Sequence, residues 1–144
     1  AAYLASLGHF VTAMDFSDEA IARASEKYGH LDNLKFTKQD IFTIGHEYNR
    51  SFDLIFEHTL YCAIDPIRRN ELVSIWSRLL SDEGHLLGLF FVFDRASGPP
   101  FGGSEKEIQK RLAKNFRPLY WNRCEYSPID REGLELFVYA SKAT

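Results

Sequence analysis

Cysteine, methionine and proline are scarce in this chain, at two, one and five residues among 144. The two cysteines, Cys62 and Cys124, lie far apart in sequence and fit neither a zinc-ligand spacing nor a disulfide framework, so both read as reduced thiols. No cluster of hard oxygen or Cys/His ligands stands out, and no metal is expected. Long apolar runs are missing as well. The longest, Leu86 to Phe93, is interrupted by Gly88 and is far too short for a membrane helix; no signal peptide is visible either. Nor is there an excess of one charge: 17 basic and 20 acidic residues leave a net charge of −3, which offers no cationic field for a phosphate backbone. Nucleic-acid and membrane partners are therefore not expected, and the reduced thiols point to a cytoplasmic protein. Repeats, low-complexity tracts and flexible linkers are absent too, so residues 1–144 read as a single domain.

What the chain has in plenty is aromatic surface, with 12 Phe and 7 Tyr. That is enough to serve both a core and a pocket. Ala1 to Leu7 reads as the end of a helix already under way, closed by Gly8 in the left-handed position. His9 to Asp15 is an apolar strand ending in an acid. Ser17 caps a helix that runs to Tyr28 with Asp18 and Glu19 in its first turn. Strands follow at Leu34 to Lys38 and Phe52 to Phe56, the latter apolar enough to be buried on both faces. Pro66 opens a helix carrying Leu72, Ile75, Trp76, Leu79 and Leu80, and Ser81 to Gly84 reads as a turn. The strand Leu86 to Phe93 and a loop from Asp94 to Gly103 come next. A helix from Ser104 opens with a capping box in which Glu107 reaches back, and strands at Leu119 to Cys124 and Leu134 to Ala140 end the chain.

This alternation describes an α/β fold, a mostly parallel sheet with helices on both faces and an antiparallel terminal strand. Such sheets bind ligands beyond the carboxyl ends of their strands. Asp15, Asp40 and Glu57 stand at successive ends. An acid in the place of Asp15 accepts hydrogen bonds from ribose hydroxyls. One in the place of Asp40 can accept from an adenine amino group, with Ile41 or Phe42 against the ring. Each also reads as an ordinary loop acid, but together they favour an adenosine ligand. An acid after the second strand would equally serve NAD in an oxidoreductase, and a non-catalytic binding module is a further reading. Arg68, Arg69, Glu71 and Arg78 read as a solvated helix face, Trp76 as core, and Cys62 as a buried free thiol.

The runs FDLIFEHTLYCAIDPIRR, LLSDEGHLLGLFF and SGPPFGGSEKEI resemble the thiopurine S-methyltransferase superfamily of class I S-adenosylmethionine-dependent enzymes, and within it the halide, thiol and thiocyanate methyltransferases. The most specific parts are the YCAI-x-P-x-x-R block opening at Tyr61 and the Gly-Pro-Pro-Phe loop, Gly98 to Phe101. The resemblance implies a Rossmann-like sheet, S-adenosyl-L-methionine as cofactor and a small-molecule methyl acceptor. It implies that Asp15 and Phe16 meet the ribose end of the cofactor, Asp40 and Ile41 the adenine, and Glu57 and His58 the methionine part. Tyr61, Cys62, Asp94, Pro99, Pro100 and Phe101 would face the acceptor, the loop serving as a semi-rigid lid. His58 stands where the family has tyrosine or arginine.

The implied reaction is in-line transfer of a methyl group from sulfonium to a soft nucleophile such as a thiol, thiocyanate or halide, in a dry, aligned pocket. An acceptor that arrives protonated needs a base, for which His58 and Asp94 are the candidates. The family's first strand, its glycine-rich loop and a tryptophan-bearing segment would precede Ala1. A fragment of a longer enzyme is therefore expected, its sheet lacking a central strand and left with two open edges, and the chain is expected to be a monomer or a weak homodimer.

Overall fold

Helix α1 (Ala2–Ser6) ends where Leu7 leads into Gly8, whose φ of +92° is the left-handed conformation that glycine adopts without strain. The computed structural model describes residues 1–143 and divides them into two compact units, Ala1–Gly45 and the chain from His46 onward.

In the first unit, strand β1 (Val11–Asp15) pairs in parallel with β2 (Leu34–Lys38), in register from Val11 opposite Leu34 to Asp15 opposite Lys38. Between them runs α2 (Asp18–Tyr28), capped as expected by Ser17, whose hydroxyl accepts from the amide of Ala20. The side-chain amide of Asn33 donates to the carbonyls of Ala5 and His9, both at 2.8 Å, and so ties the end of α1 to the strand that follows.

The second unit holds β3 (Phe52–His58), α3 (Arg69–Leu79), β4 (Leu80–Phe91), α4 (Glu105–Leu112), β5 (Phe116–Arg123) and β6 (Glu135–Lys142). Its sheet has the order β3-β4-β6-β5. β3 and β4 are parallel, and β6 runs antiparallel to both of its neighbours. Within this sheet β3, β4 and β5 thus run in one direction and β6, near the C-terminus, is reversed. Alternate residues Leu86 and Phe90 of β4 and Leu136, Val138 and Ala140 of β6 are all but fully buried. Period-two burial of this kind marks one packed face. Trp76 of α3 meets Phe90 edge-on with centroids 6.4 Å apart, and Leu72, Val73, Ile108 and Leu112 complete the core.

Three expectations need correction. β3 is not buried on both faces: it pairs on one side only, and Leu54 and Phe56 are 38% and 50% exposed. The turn expected at Ser81–Gly84 lies inside β4. The chain leaves α3 straight into pairing at Leu80 opposite Phe52. It then bulges, so that two residues of progress along β3 correspond to five along β4. β5 begins at Phe116, three residues early, because its place at the sheet edge lets Pro118 sit in the strand without an N–H to offer. Among the described residues the strands form two hydrogen-bonded sheets, and β1 and β3 each pair on one side only.

Candidate functional site

In the first unit, parallel pairing of β1 and β2 brings Asp15 and Asp40 to one rim. The amide of Gln39 donates to the carbonyl of Asp15 at 2.9 Å and joins the two strand ends. Both carboxylates shape their own turns: Asp15 accepts from the amide of Ser17 at 2.8 Å, and Asp40 from that of Phe42 at 2.9 Å. Each bond uses one oxygen of an exposed carboxylate, and an ionised carboxylate has about four acceptor positions. Phe16 beside them is 75% exposed, and Ile41 is half-buried.

In the second unit, β3 ends in Glu57 and His58, which point to opposite faces of the sheet. Glu57 is buried, and its Oε1 accepts from the amide of Tyr61 at 2.9 Å while Oε2 is buried without a partner. Burial raises its pKa from 4.5 to about 7, against the pull of the Tyr61 and Leu60 amides. The chain reverses at Thr59, whose φ of +71° is left-handed, and enters a single 3-10 turn at Tyr61–Ala63. Tyr61 points inward. Its ring meets Phe90 edge-on at 5.2 Å and its hydroxyl donates to Glu107 at 2.9 Å. Burial and the Glu107 charge push the phenol well above its ordinary range. Cys62 is also buried, its Sγ donating to the carbonyl of Thr59, and burial followed by the Glu57 charge pushes the thiol up. Both cysteines are free.

His58, on the other face, keeps 42% of its side chain exposed, with Nε2 3.8 Å from Glu135 Oε1 and 3.4 Å from Arg131 Nη1. Arg131 pairs with Glu135 at 3.3 Å and covers the Phe91 ring. Glu135 itself is buried, with Oε2 unpartnered.

The loop after β4 is irregular, as expected, yet held at several points. The amide of Phe101 donates to the carbonyl of Cys62 at 2.6 Å, and that of Gly103 to the carbonyl of Phe93 at 3.0 Å. Pro99 is exposed, Pro100 and Phe101 are half-buried, and both Gly98–Pro99 and Pro99–Pro100 peptides are cis. Asp94 is exposed and lines an open cleft of about 540 Å³ with Arg95, Ser104, Lys106 and Arg123. Hydrogen bonds therefore join Glu57 to Tyr61 and Phe101 to the adjacent Cys62, whereas the side chains of His58 and Asp94 lie in other surroundings.

One side chain read from sequence as solvated is among the most buried in the protein. Arg69 is 1% exposed; it donates to the carbonyls of Gly102 and Phe101, pairs with Glu107 and lies over the Tyr61 ring. Arg68 and Glu71, next to it, do form an exposed pair. Glu107 departs from the expected capping box. Its amide donates to Ser104, but its carboxylate turns to Tyr61, Arg69 and Arg111. Glu135 and Arg131 also escaped the sequence reading.

The sequence profile of the thiopurine S-methyltransferase family matches residues 1–131. The chain belongs to that family. Thiocyanate methyltransferase 1 of Brassica oleracea is 32% identical over 137 residues, covering 92% of this family member and 60% of the plant protein. The probable thiol methyltransferase 2 of Arabidopsis thaliana is 36% identical over 113 residues, covering 76% and 49%. The chain thus spans about half of the length of the plant relatives it matches. Among solved structures, the 1,6-didemethyltoxoflavin-N1-methyltransferase of Burkholderia thailandensis, crystallised with S-adenosylhomocysteine, aligns with a TM-score of 0.78 at 20% identity, over 99% of this chain and 65% of its own. N-methyltransferase NodS of Bradyrhizobium japonicum, also with S-adenosylhomocysteine, gives 0.75 at 20% identity, over 92% and 66%. The fold is the mixed α/β fold of class I methyltransferases. No helix among the described residues is long and apolar enough to cross a membrane.

Proposed function

We propose that this chain is part of one S-adenosylmethionine-dependent methyltransferase domain that methylates a small soft nucleophile: a thiol, thiocyanate or a halide. The family match over residues 1–131 carries the reading, because it spans both units and every residue assigned a role below.

The residues present suit the cofactor's chemistry. Hydroxyl and amino donors of a nucleoside need exposed acceptors on one rim with an apolar surface beside them, and Asp15, Asp40, Phe16 and Ile41 supply these in the first unit. In the second unit, Glu57 and His58 serve the methionine end. When bound, S-adenosylmethionine supplies an electrophilic methyl group on sulfonium.

The chain's own residues exclude water and orient the acceptor. Phe101 and the two prolines present a stiff, mostly apolar surface to it, while Tyr61 and Cys62 support that surface from beneath. His58 takes the proton from a thiol acceptor; Asp94, facing an open cleft, is the second candidate base. Thiocyanate and halide need neither. Two free thiols suit a reducing compartment, the cytoplasm. The one-sided pairing of β3, with Leu54 and Phe56 exposed, suits a monomer that dimerises weakly.

Calorimetric titration of the native protein carrying this chain with S-adenosylmethionine and with NAD tests the reading, followed by assay of methyl transfer to an alkyl thiol, thiocyanate and iodide. Binding of S-adenosylmethionine and transfer to at least one acceptor is the expected result. Binding of NAD alone would point to an oxidoreductase, and binding of neither to a non-catalytic module.

A further inference from the structure

We propose that Arg69 is the positioning residue of the acceptor loop: it fastens Gly98–Gly103 to the turn after β3 and so sets where the acceptor stands. The inference rests on the function proposed above and adds to it a residue that touches neither ligand.

Burying a guanidinium is costly unless its donors are matched; Nε of Arg69 is buried without a partner, so its two Nη groups make every polar contact that holds it. Arg69 Nη1 donates to the carbonyl of Gly102 at 3.0 Å and pairs with Glu107 at 3.4 Å, while Nη2 donates to the carbonyl of Phe101 at 3.3 Å. Two adjacent carbonyls are thus held by the two prongs of one planar fork, a grip that the single ammonium of lysine does not reproduce. The guanidinium carbon lies 4.4 Å from the Tyr61 ring centroid, a cation stacked on an aromatic face. Glu107 balances the charge and is shared with the Tyr61 hydroxyl and with Arg111.

The grip matters because of what holds the loop from its other side. The amide of Phe101 donates to the carbonyl of Cys62, so Phe101 is fixed at its N–H by the turn after β3 and at its carbonyl by Arg69. That turn is in turn held to Glu57 through the Tyr61 amide. The loop that presents Pro99, Pro100 and Phe101 and the strand end that presents Glu57 therefore move as one piece. Space for the clamp is kept by Gly103, where a Cβ would stand 3.2 Å from Arg69 Nη1 and 3.3 Å from Glu107 Oε2. At 1% exposure Arg69 has no surface to offer an acceptor and acts through the loop alone.

The test compares Arg69→Gln, Arg69→Lys and Gly103→Ala with the parent in the native protein, using an alkyl thiol and thiocyanate as acceptors. In Arg69→Gln, kcat/KM for the acceptor falls about a hundredfold, the loss expected when reacting groups are misplaced by about an ångström. Affinity for S-adenosylhomocysteine is unchanged, and the Phe101 and Gly103 amides exchange hydrogen faster. Arg69→Lys restores the charge without the two-carbonyl grip and recovers only part of the activity. Gly103→Ala leaves the charge in place and crowds the clamp; it gives the same pattern in smaller measure and carries the test if Arg69→Gln does not fold. The proposal is overturned if acceptor kcat/KM is unchanged, if cofactor affinity falls in step with it, or if Phe101 keeps its exchange protection. A parent protein that methylates none of the probes refutes the functional reading, while amide exchange still decides whether Arg69 holds the loop.

Discussion

Glu57 and Tyr61 are joined across four residues: the Tyr61 amide donates to Oε1 of a carboxylate whose other oxygen is buried without a partner. Burial holds the Glu57 pKa at about 7 in the folded protein, against 4.5 for an ordinary glutamate. The folded state therefore binds more protons than the unfolded chain between those values, and stability falls as pH rises through that window. The loss levels off above pH 7 and amounts to about 3 kcal/mol at most. Urea midpoints are accordingly expected to be higher at pH 5 than at pH 8. Glu57→Gln keeps an acceptor for the Tyr61 amide and should flatten this slope; an unchanged slope would assign it to other groups.

Phe90 is fully buried and meets both Tyr61 and Trp76 edge-on. Truncating it to alanine removes the surface on which the Tyr61 turn rests and should cost about 3–5 kcal/mol. Urea denaturation followed by tryptophan fluorescence measures the loss, and a change under about 1 kcal/mol would mean that the site collapses around the missing ring.

The two thiols should differ in reactivity. Cys62 is 6% exposed, and burial disfavours its thiolate, the nucleophilic form; Cys124 is only half-buried. Iodoacetamide at neutral pH should label Cys124 first, with Cys62 reacting only on unfolding, as peptide mass spectrometry would show. Rapid labelling of Cys62 would mean that the Tyr61–Ala63 turn opens in the native state.

How much of this was legible in the sequence depends on the range of the interaction concerned. The acids at Asp15 and Asp40, the Ser17 cap and the Gly8 stop rest on contacts within a few residues, and each stands where local pattern puts it. Arg69 sits in a run of charge with Arg68 and Glu71, which by local pattern alone is a solvated face. A signal was present nonetheless: Arg69, Leu72, Val73 and Trp76 fall at spacings of three, four and seven, the buried face of α3. Local spacing makes Glu107 a capping residue, whereas its carboxylate meets Tyr61 and Arg69, 46 and 38 residues away, which no local pattern reveals. The bulge at Ser81–Gly84 was likewise invisible, since only pairing with β3 turns those four residues from a reversal into part of a strand.

Asp15 and Asp40 are exposed, and each leaves acceptor capacity beyond the amide it caps. Asp15→Asn and Asp40→Asn keep a side-chain oxygen for the turn but remove the charge. Hydrogen bonds to a charged group contribute about 1.5–3 kcal/mol, so each change should weaken S-adenosylhomocysteine binding by roughly ten- to a hundredfold. Melting temperature should not move. Calorimetry with both variants checks this, and full affinity in either would remove that acid from the cofactor site.

His58 is the residue whose role depends on the acceptor. Its ring is exposed enough to meet one, with Nε2 3.8 Å from the buried Glu135 carboxylate and 3.4 Å from Arg131 Nη1. A thiol must lose its proton as the new S–C bond forms, and a positioned base contributes about a hundredfold or more. Thiocyanate arrives already anionic. His58→Asn should therefore slow methylation of an alkyl thiol about a hundredfold below the thiol's own pKa and leave the thiocyanate rate unchanged. The thiol deficit should shrink as pH rises and the acceptor ionises in solution. Equal losses with both acceptors would make His58 a binding residue rather than a base, and a selective loss in Asp94→Asn would move the base to the loop.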